Sequence, residues 1–309
     1  MSPITHPGPR DIAGLAFLAL CWGSSFMFVK TALEGFTPIG IAVTRICLAA
    51  LLLVAVARLR GHVLPRHARD WGLLAAAGIV GSAIPFTLIS WGQQFIPSAM
   101  AATLMSFTPL ATIALAHVMT GDERLSIVKV IGVLIGIGGV FLLVGAPTVD
   151  DAPMSIAGKL AILTAAFGYA LSSLLLRKAS HLPTLVSAGG HMISAAVTVS
   201  LFALLLGEPL TRDPGLRELS SVIILGIFPS ALAAIVLVAL LRRVGATFVA
   251  LNNYLVPVVG TLLGIFLLGE PAGAGLFAGL TLILAGVLIT QQAQRRHLRR
   301  MEKIGKPEE

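Results

Sequence analysis

Long apolar segments recur along the chain and are separated by short polar stretches. A helix that crosses about 30 Å of hydrocarbon needs roughly 20 apolar residues, and ten segments come close to that length. We therefore expect an all-α polytopic membrane protein with ten transmembrane helices, an N-terminal segment at 1–10 and a basic tail at 291–309. The expected spans are Ile12–Val29, Pro38–Ala57, Trp71–Ser90, Ser98–Met119, Ile127–Val144, Ile156–Leu176, Leu185–Leu206, Leu219–Leu241, Ala246–Leu268 and Gly275–Ile289.

The overall composition agrees with this pattern. Of 309 residues, 56% are hydrophobic and only 12% are charged, which excludes a water-soluble globule. The net charge of +8 comes from short basic clusters between apolar segments, so it indicates membrane-edge loops and no nucleic-acid-binding surface. Both cysteines, Cys21 and Cys47, lie within apolar segments, and we expect no disulfide, metal site or cofactor.

The distribution of Lys and Arg predicts the orientation in the membrane. With the N-terminus inside, 17 of the 22 Lys and Arg residues lie in inner loops and the termini, and four lie in outer loops. The remaining one, Arg45, lies within a span. Because cytoplasmic loops carry an excess of Lys and Arg, we expect both termini in the cytoplasm.

The two halves of the chain align with each other when one is shifted by 148 residues. Each half, 11–146 and 155–290, holds five spans, and an odd number of spans inserts the second half upside down. Inverted repeats of this kind are typical of secondary transporters. The aligned pairs include Ser24 with Ser172, Ser25 with Ser173, Lys30 with Lys178, Asp70 with Glu218, Gly78 with Gly226, Ser82 with Ser230, Pro109 with Pro257 and Gly138 with Gly286.

Several segments resemble the EamA-type domain of the drug/metabolite transporter superfamily, in two tandem copies that cover nearly the whole chain. They are SAMAATLMSFTP (98–109) with TGDE (120–123), GATFVALNNYLVP (245–257) with LGE (268–270), CWGSSF (21–26), and Arg45. The resemblance implies ten helices around a central cavity, alternating access and, in many members, export of small metabolites, amino acids or drugs. The first copy departs from the pattern, since Asp122 and Glu123 stand where a Gly-Glu pair is usual.

Arg45 is the one charged residue deep inside an expected span. It lies seven residues after Pro38, hence about 10 Å deep at 1.5 Å per residue, and a charge there must face protein or water. It either contacts an anionic group of the substrate, or it extends outward to pair with Glu34 or loop carbonyls. The sequence favours the second role, because the repeat counterpart of Arg45 is the apolar Ile193.

Two proline-interrupted spans are expected to line the transport pathway. Pro109 and Pro257 occupy matching places in the two halves and free backbone carbonyls one turn earlier. The alternative is that the prolines only kink the helices while nearby polar side chains bond between helices. The candidate substrate-contacting residues near these prolines are Thr103, Ser106, Asn252, Asn253 and Tyr254.

A second set of candidates lies on the first, third and sixth spans. Trp22 and Tyr169 are expected to face the cavity, since an aromatic ring with a polar group can stack and hydrogen-bond. Ser25 and Ser172 are candidates too, although small hydroxyl residues also serve close helix packing. Trp91 ends the third span and is either a substrate contact or an interfacial anchor.

No Asp or Glu lies within the expected spans, so coupling to a proton through an intramembrane carboxylate is not available. Among the histidines, His191 lies deep in a span, whereas His117 lies near its cytoplasmic end, where surface exposure is expected. A structural hydrogen bond is the expected role of both. Glycine pairs such as Gly132 with Gly136, and Gly275 with Gly279, favour packing within the protein before a homodimer.

The sequence thus predicts a secondary carrier of the bacterial inner membrane, an exporter of small organic solutes such as amino acids or related zwitterionic or neutral compounds, with drugs as a further class. The expected partners are a small-molecule substrate and the lipid bilayer, with the protein a monomer or a homodimer. An uptake carrier or exchanger is the alternative within this class. A membrane-embedded enzyme on a lipid-linked substrate is less favoured, because the chain has no H-E-x-x-H, Walker A or G-x-S-x-G motif.

Overall fold

The computed structural model describes residues 7–119, 126–145 and 153–304. Within these ranges, nine helices are long and apolar enough to cross a membrane, and Asn252–Leu268 is a tenth, shorter apolar helix. The expected all-α polytopic membrane architecture is therefore confirmed. The helices are α1 (Pro9–Ala32), α2 (Pro38–Leu59), α3 (Ala68–Gly92), α4 (Ser98–Met119), α5 (Ile127–Gly145), α6 (Pro153–Lys178), α7 (Thr184–Leu206), α8 (Leu216–Ala246), α9 (Asn252–Leu268) and α10 (Ala274–Ile304).

The largest differences from the expected boundaries lie at two places. The chain bends at Gly245, with φ 79° and ψ 171°, and the helical turn that follows ends at Val249, so α9 begins at Asn252. The last helix, expected to end near Ile289, continues through Ile304, so part of the expected basic tail extends α10. The unusual acidic pair at 122–123 lies outside the described residues.

The helix packing interlocks the two halves of the chain. Helix α1 packs against α8 and α9, and its repeat counterpart α6 packs against α3 and α4. The counterparts α2 and α7 pack on each other, as do α5 and α10. Each contact thus has a partner contact in the other half, which is the arrangement expected of two inverted repeats.

Glycines bring α5 and α10 close together. A Cβ atom on Gly132 would lie 2.8 Å from the carbonyl oxygen of Gly286, and one on Gly139 would lie 2.8 Å from that of Gly279. Such short distances leave room only for hydrogen atoms, so the two backbones touch. The expected packing role of the glycine-rich fifth and tenth spans within the protein is confirmed.

Large apolar side chains cover the outer surface of the helix bundle. Leu51 is 67% exposed, Phe141 73%, Leu205 84% and Phe266 77%. In water such a surface would be unfavourable, whereas a bilayer solvates it. This surface identifies the lipid-facing sides of α2, α5, α7 and α9.

Polar contacts close the two ends of the bundle. We call the end where α1 begins and α10 ends the terminal face, and the other end the opposite face. On the opposite face, the backbone nitrogen of Thr37 donates to the carbonyl oxygen of Leu210 at 3.1 Å. On the terminal face, Asp11 pairs with Arg243 at 3.1 Å between Oδ1 and Nε.

Candidate functional site

A cavity of about 490 Å³ lies between the two halves of the chain. Eight helices line it, α1–α4 and α6–α9, while α5 and α10 pack outside. Its wall on α3 is formed by residues 81, 82, 86 and 89, and its wall on α8 by residues 229, 230, 234 and 237, which are the same positions shifted by 148. The cavity therefore lies where the two repeats face each other. Its volume is in the range of small-molecule sites.

A wider π-helical turn shapes the cavity wall in each repeat. The turns are Ile79–Ala83 in α3 and Gly226–Leu232 in α8. Pro85 follows the first turn closely, and Pro229 lies inside the second. Because proline has no N–H and its ring clashes with the carbonyl four residues earlier, the regular α-helical bonding cannot continue. A π-turn accommodates this and leaves carbonyl groups that need other donors.

Side chains around the cavity bind those carbonyl groups. Ser172 Oγ of α6 donates to the carbonyl oxygen of Ala77 at 2.9 Å, and Ser230 Oγ donates at 2.8 Å to the carbonyl oxygen five positions before it. The indole nitrogen of Trp22 donates to the carbonyl oxygen of Pro229 at 2.9 Å. These donors are therefore part of the wall, and their hydrogen atoms are engaged by the protein.

Arg45 lies at the cavity and is only 6% exposed. Its Nε donates to Ser230 Oγ at 2.8 Å, and its guanidinium carbon lies 3.8 Å from the centre of the Phe86 ring. The pairing with Glu34, one of the two structural contacts expected for Arg45, is wrong, since Glu34 lies 3.5 Å from Arg217 of α8. In the described part of the chain, the two terminal nitrogens of Arg45 make no hydrogen bond, and the nearby Tyr169 side chain interacts with the guanidinium electrostatically.

The serine of the other π-turn also meets a basic side chain. His191 Nε2 of α7 lies 3.3 Å from Ser82 Oγ, and its Nδ1 lies 3.3 Å from the carbonyl oxygen of Ser187. Since a carbonyl only accepts, Nδ1 carries the proton, and Nε2 accepts from the serine hydroxyl. His191 is thus the spatial counterpart of Arg45, although the repeat alignment pairs Arg45 with Ile193. The expected structural hydrogen bond of His191 is present.

The polar start of α9 also reaches the cavity. Asn252 and Asn253 both line it, and Asn252 is 3% exposed. The Oδ1 atom of Asn252 is buried and has no hydrogen-bond partner among the described residues. Facing this helix, α4 is interrupted between Met105 and Thr108, and Ser106 lies at the interruption on the cavity wall.

Most of the predicted site residues lie on the cavity wall. They are Trp22, Ser25, Arg45, Ser106, Tyr169, Ser172, Asn252 and Asn253, together with the predicted kink residues Pro109 and Pro257. Only the first of the two prolines adjoins a helix interruption, since Pro257 lies inside α9. Contact of these residues with a substrate stays a prediction.

Three predicted residues do not line this cavity. Thr103 is fully buried and its hydroxyl lies 3.0 Å from that of Thr261, so it joins α4 to α9. The hydroxyl of Tyr254 donates to Gln291 Oε1 at 3.0 Å, which directs the ring towards α10. Trp91, in the last turn of α3, packs edge-on against Phe95 of the following loop, with ring centres 5.0 Å apart.

Sequence reasoning missed several wall residues. Ser82, Ser230 and Phe86 were not identified as candidates, although the repeat alignment had already matched the two serines. Phe86 carried no pattern that distinguishes it from a core residue. Across the described ranges, no three His, Cys, Asp or Glu side chains come together as a metal site would need, and Cys21 and Cys47 are free thiols.

Both halves of the chain match the model of one protein family. The model of the EamA-like transporter family matches residues 11–145 and again residues 156–291. A crystal structure with 22% sequence identity covers 94% of this chain and 99% of its own, with a TM-score of 0.66. At that identity the likeness concerns the fold alone.

Proteins that are similar to this chain over most of their length are named as transporters. The uncharacterized inner membrane transporter YedA of Escherichia coli K12 is 28% identical over 276 residues, 88% of each chain. The uncharacterized transporter YvbV of Bacillus subtilis is 25% identical over 92% of each chain. A protein of Streptantibioticus cattleyicolor, named as a probable terminal-alkyne amino-acid exporter, is 26% identical over 96% of this chain and 98% of its own.

Proposed function

The chain belongs to the EamA-like transporter family, and from this premise we propose that it exports small organic solutes that carry a carboxylate, such as amino acids, through the central cavity. The protein is a multi-pass membrane transporter. The proposal covers the substrate class and the direction of transport. It also covers a location in the bacterial inner membrane with both termini in the cytoplasm.

Arg45 is the observation that carries the substrate class. A buried guanidinium is charged at any physiological pH and is unfavourable in the membrane interior unless an anion or several acceptors surround it. Arg45 has one hydroxyl acceptor, one aromatic face and the Tyr169 side chain nearby, and within the described ranges its terminal nitrogens make no hydrogen bond to the protein. The fork of two terminal N–H groups matches a carboxylate in geometry as well as charge.

The position of the cavity supports transport by alternating access. It lies between two repeats that are inverted with respect to each other, and each wall has its counterpart 148 residues away. Exchanging the conformations of the two repeats would expose the same cavity to the other side of the membrane. The cavity lining changes little in such an exchange, because both halves supply equivalent wall positions.

Export is supported by one relative, which is named as an amino-acid exporter. The Lys and Arg distribution supports the orientation, since the terminal face carries most of the basic residues. An uptake carrier or exchanger of the same solutes is the competing function.

Arg45→Gln tests the proposal, with Arg58→Gln as a matched control on the exposed end of the same helix. Metabolites released by cells that express each variant at equal membrane abundance are compared with those of empty-vector cells by untargeted mass spectrometry. We expect a few carboxylate-bearing compounds enriched at least tenfold in the medium for the wild type and Arg58→Gln, and not for Arg45→Gln. Enrichment that is independent of Arg45 would contradict the substrate class, and depletion of the same compounds from the medium would indicate uptake.

A further inference from the structure

Asn252 lines the cavity and holds a buried amide oxygen that has no hydrogen-bond donor among the described residues. The residue is 3% exposed, and the oxygen concerned is Oδ1. Burial of an amide oxygen without a donor is unfavourable. Proteins keep such a group when a ligand or water supplies the missing donor.

The hydroxyl and indole donors of the wall serines and of Trp22 are already engaged. Gln93 and Gln294 also have buried atoms without partners, but neither lines the cavity. Five of the six wall serines donate to backbone carbonyls, as does Trp22, and the sixth, Ser82, donates to His191 Nε2. The five serine bonds to carbonyls are Ser25 to Trp22, Ser106 to Thr103, Ser172 to Ala77, Ser173 to Ala170 and Ser230 to Leu225.

The acceptor is absent from the first repeat. The counterpart of Asn252 is Leu104, which is fully buried in the apolar core around α4. The scaffold therefore accepts an apolar residue at this position, and the amide of Asn252 is not needed to close the helix bundle. The same holds on the other side of the cavity, where Arg45 has the apolar counterpart Ile193. Arg45 and Asn252 are thus both polar wall residues whose counterparts in the other repeat are apolar.

We infer that Asn252 is a specificity-determining residue, which accepts a hydrogen bond from the ammonium group of an amino acid whose carboxylate binds Arg45. This deepens the proposed function and rests on it. Asn252 lies on α9, whereas Arg45 lies on α2 among Phe86 and Ser230, so the acceptor and the cation belong to different walls. A neutral amide oxygen accepts from an ammonium group without repelling the carboxylate of the same molecule.

The apolar part of the wall indicates which amino acids fit. Phe26, Phe86, Ile89 and Met105 line the cavity beside the polar groups. An aliphatic or aromatic side chain would bury its surface against them. A site built around a hydrogen bond to an N–H rejects the analogue that lacks it much more strongly than it rejects a change of one methylene. L-leucine and 4-methylpentanoate, which is leucine without its amino group, are therefore a discriminating pair.

The test uses the full chain in proteoliposomes that contain L-leucine. The readout is the uptake of labelled L-leucine by counterflow, and unlabelled L-leucine or 4-methylpentanoate is added outside as the competitor. For the wild type we expect L-leucine to compete at least tenfold better than 4-methylpentanoate. Asn252→Leu, which installs the residue of the other repeat, should reduce this ratio to near one by weakening L-leucine alone. Gln292→Leu, which also replaces an amide side chain with leucine but at an exposed position of α10, should leave the ratio unchanged.

Asn252→Asp supplies a second test if Asn252→Leu does not fold. It keeps the size of the side chain and adds a charge that attracts ammonium and repels a lone carboxylate, so the ratio should rise. An unchanged ratio in either variant, with transport still dependent on Arg45, would overturn the role of Asn252 and leave the proposed function intact. If the wild type exchanges none of a panel of apolar amino acids, the proposed substrate class itself is contradicted.

Discussion

Glu270 joins the two repeats at the opposite face, and its substitution should destabilise the fold. Gly269 reverses the chain after α9 with φ 66°, and the nitrogen of Glu270 donates to the carbonyl oxygen of Gly264 at 3.2 Å. This places the carboxylate at the N-terminus of α4. One oxygen accepts from the nitrogen of Ser98 at 2.6 Å, and the other accepts from the nitrogen of Ala99 at 2.8 Å and from Ser98 Oγ at 3.0 Å.

The expected magnitude follows from the groups left without a partner. Ser98 and Ala99 are fully buried, so Glu270→Ala removes a charged acceptor from two buried N–H groups and from the positive end of the helix dipole. A hydrogen bond to a charged group contributes about 1.5–3 kcal/mol, and the dipole adds about 0.5 kcal/mol. Allowing for water entering the gap, we expect a loss of about 3 kcal/mol for Glu270→Ala. The loss should be about 1 kcal/mol for Glu270→Gln, which keeps one oxygen acceptor.

Thermal unfolding of the purified protein, followed by the loss of its monodisperse peak in size-exclusion chromatography, measures this effect. For a chain of this size, 1 kcal/mol corresponds to roughly 2 °C, so Glu270→Ala should unfold about 6 °C below the wild type. Glu208→Gln, on an exposed residue at the same face, controls for the loss of a surface charge and should shift the midpoint by less than about 1 °C. Equal shifts for Glu270→Ala and Glu208→Gln would refute the capping role.

Three further predictions concern single contacts. Gly40→Ala places a Cβ 1.8 Å from a backbone carbonyl oxygen of the loop before α8, so the folded yield should fall severalfold, whereas Gly72→Ala, with open space around it, should not change the yield. Trp22→Phe leaves a carbonyl of the second π-turn without its donor and should lower stability by about 1–3 kcal/mol in the same unfolding assay. Tyr254→Phe breaks the bond to Gln291 outside the cavity, and substrate preference in the counterflow assay should stay as in the wild type.

Each of these predictions has a contradicting result. A normal yield of Gly40→Ala would mean that the start of α2 and the loop before α8 are not in contact. Wild-type stability of Trp22→Phe would mean that water or another donor serves that carbonyl. A changed substrate preference of Tyr254→Phe would return this residue to the substrate site.

The sequence predicted the helices and the repeat well. Apolar length located all ten helices because the bilayer thickness sets it. The shift of 148 residues aligned the two segments that the structure shows as π-turns, although the turns themselves were not predicted. The bend at Gly245 was not predicted, since glycine alone does not distinguish a bend from a close contact. The extension of α10 beyond Ile289 was missed because polarity ends a span without ending a helix.

The candidate site was harder to predict than the fold. Hydroxyl and aromatic residues near a membrane midpoint either line a cavity or bond between helices, and apolar spacing does not separate these roles, as Thr103 and Tyr254 illustrate. Arg45 was assigned to a structural role because its alignment partner is Ile193. In space the counterpart of Arg45 is His191, which lies two positions before Ile193. Arg45 reaches Ser230 of the second π-turn, and the shorter His191 side chain reaches Ser82 of the first.

Accessibility of the cavity from both sides of the membrane tests the central claim most directly. In a chain whose Cys21 and Cys47 are replaced by alanine, Ser106→Cys puts a thiol on the cavity wall, and Thr103→Cys puts one in the buried contact beside it. A membrane-impermeant thiol reagent applied to either side of sealed vesicles should label Ser106→Cys, and L-leucine should slow this labelling. Thr103→Cys should stay unlabelled. Labelling of Ser106→Cys from one side only, with no protection by any amino acid, would contradict alternating access through this cavity.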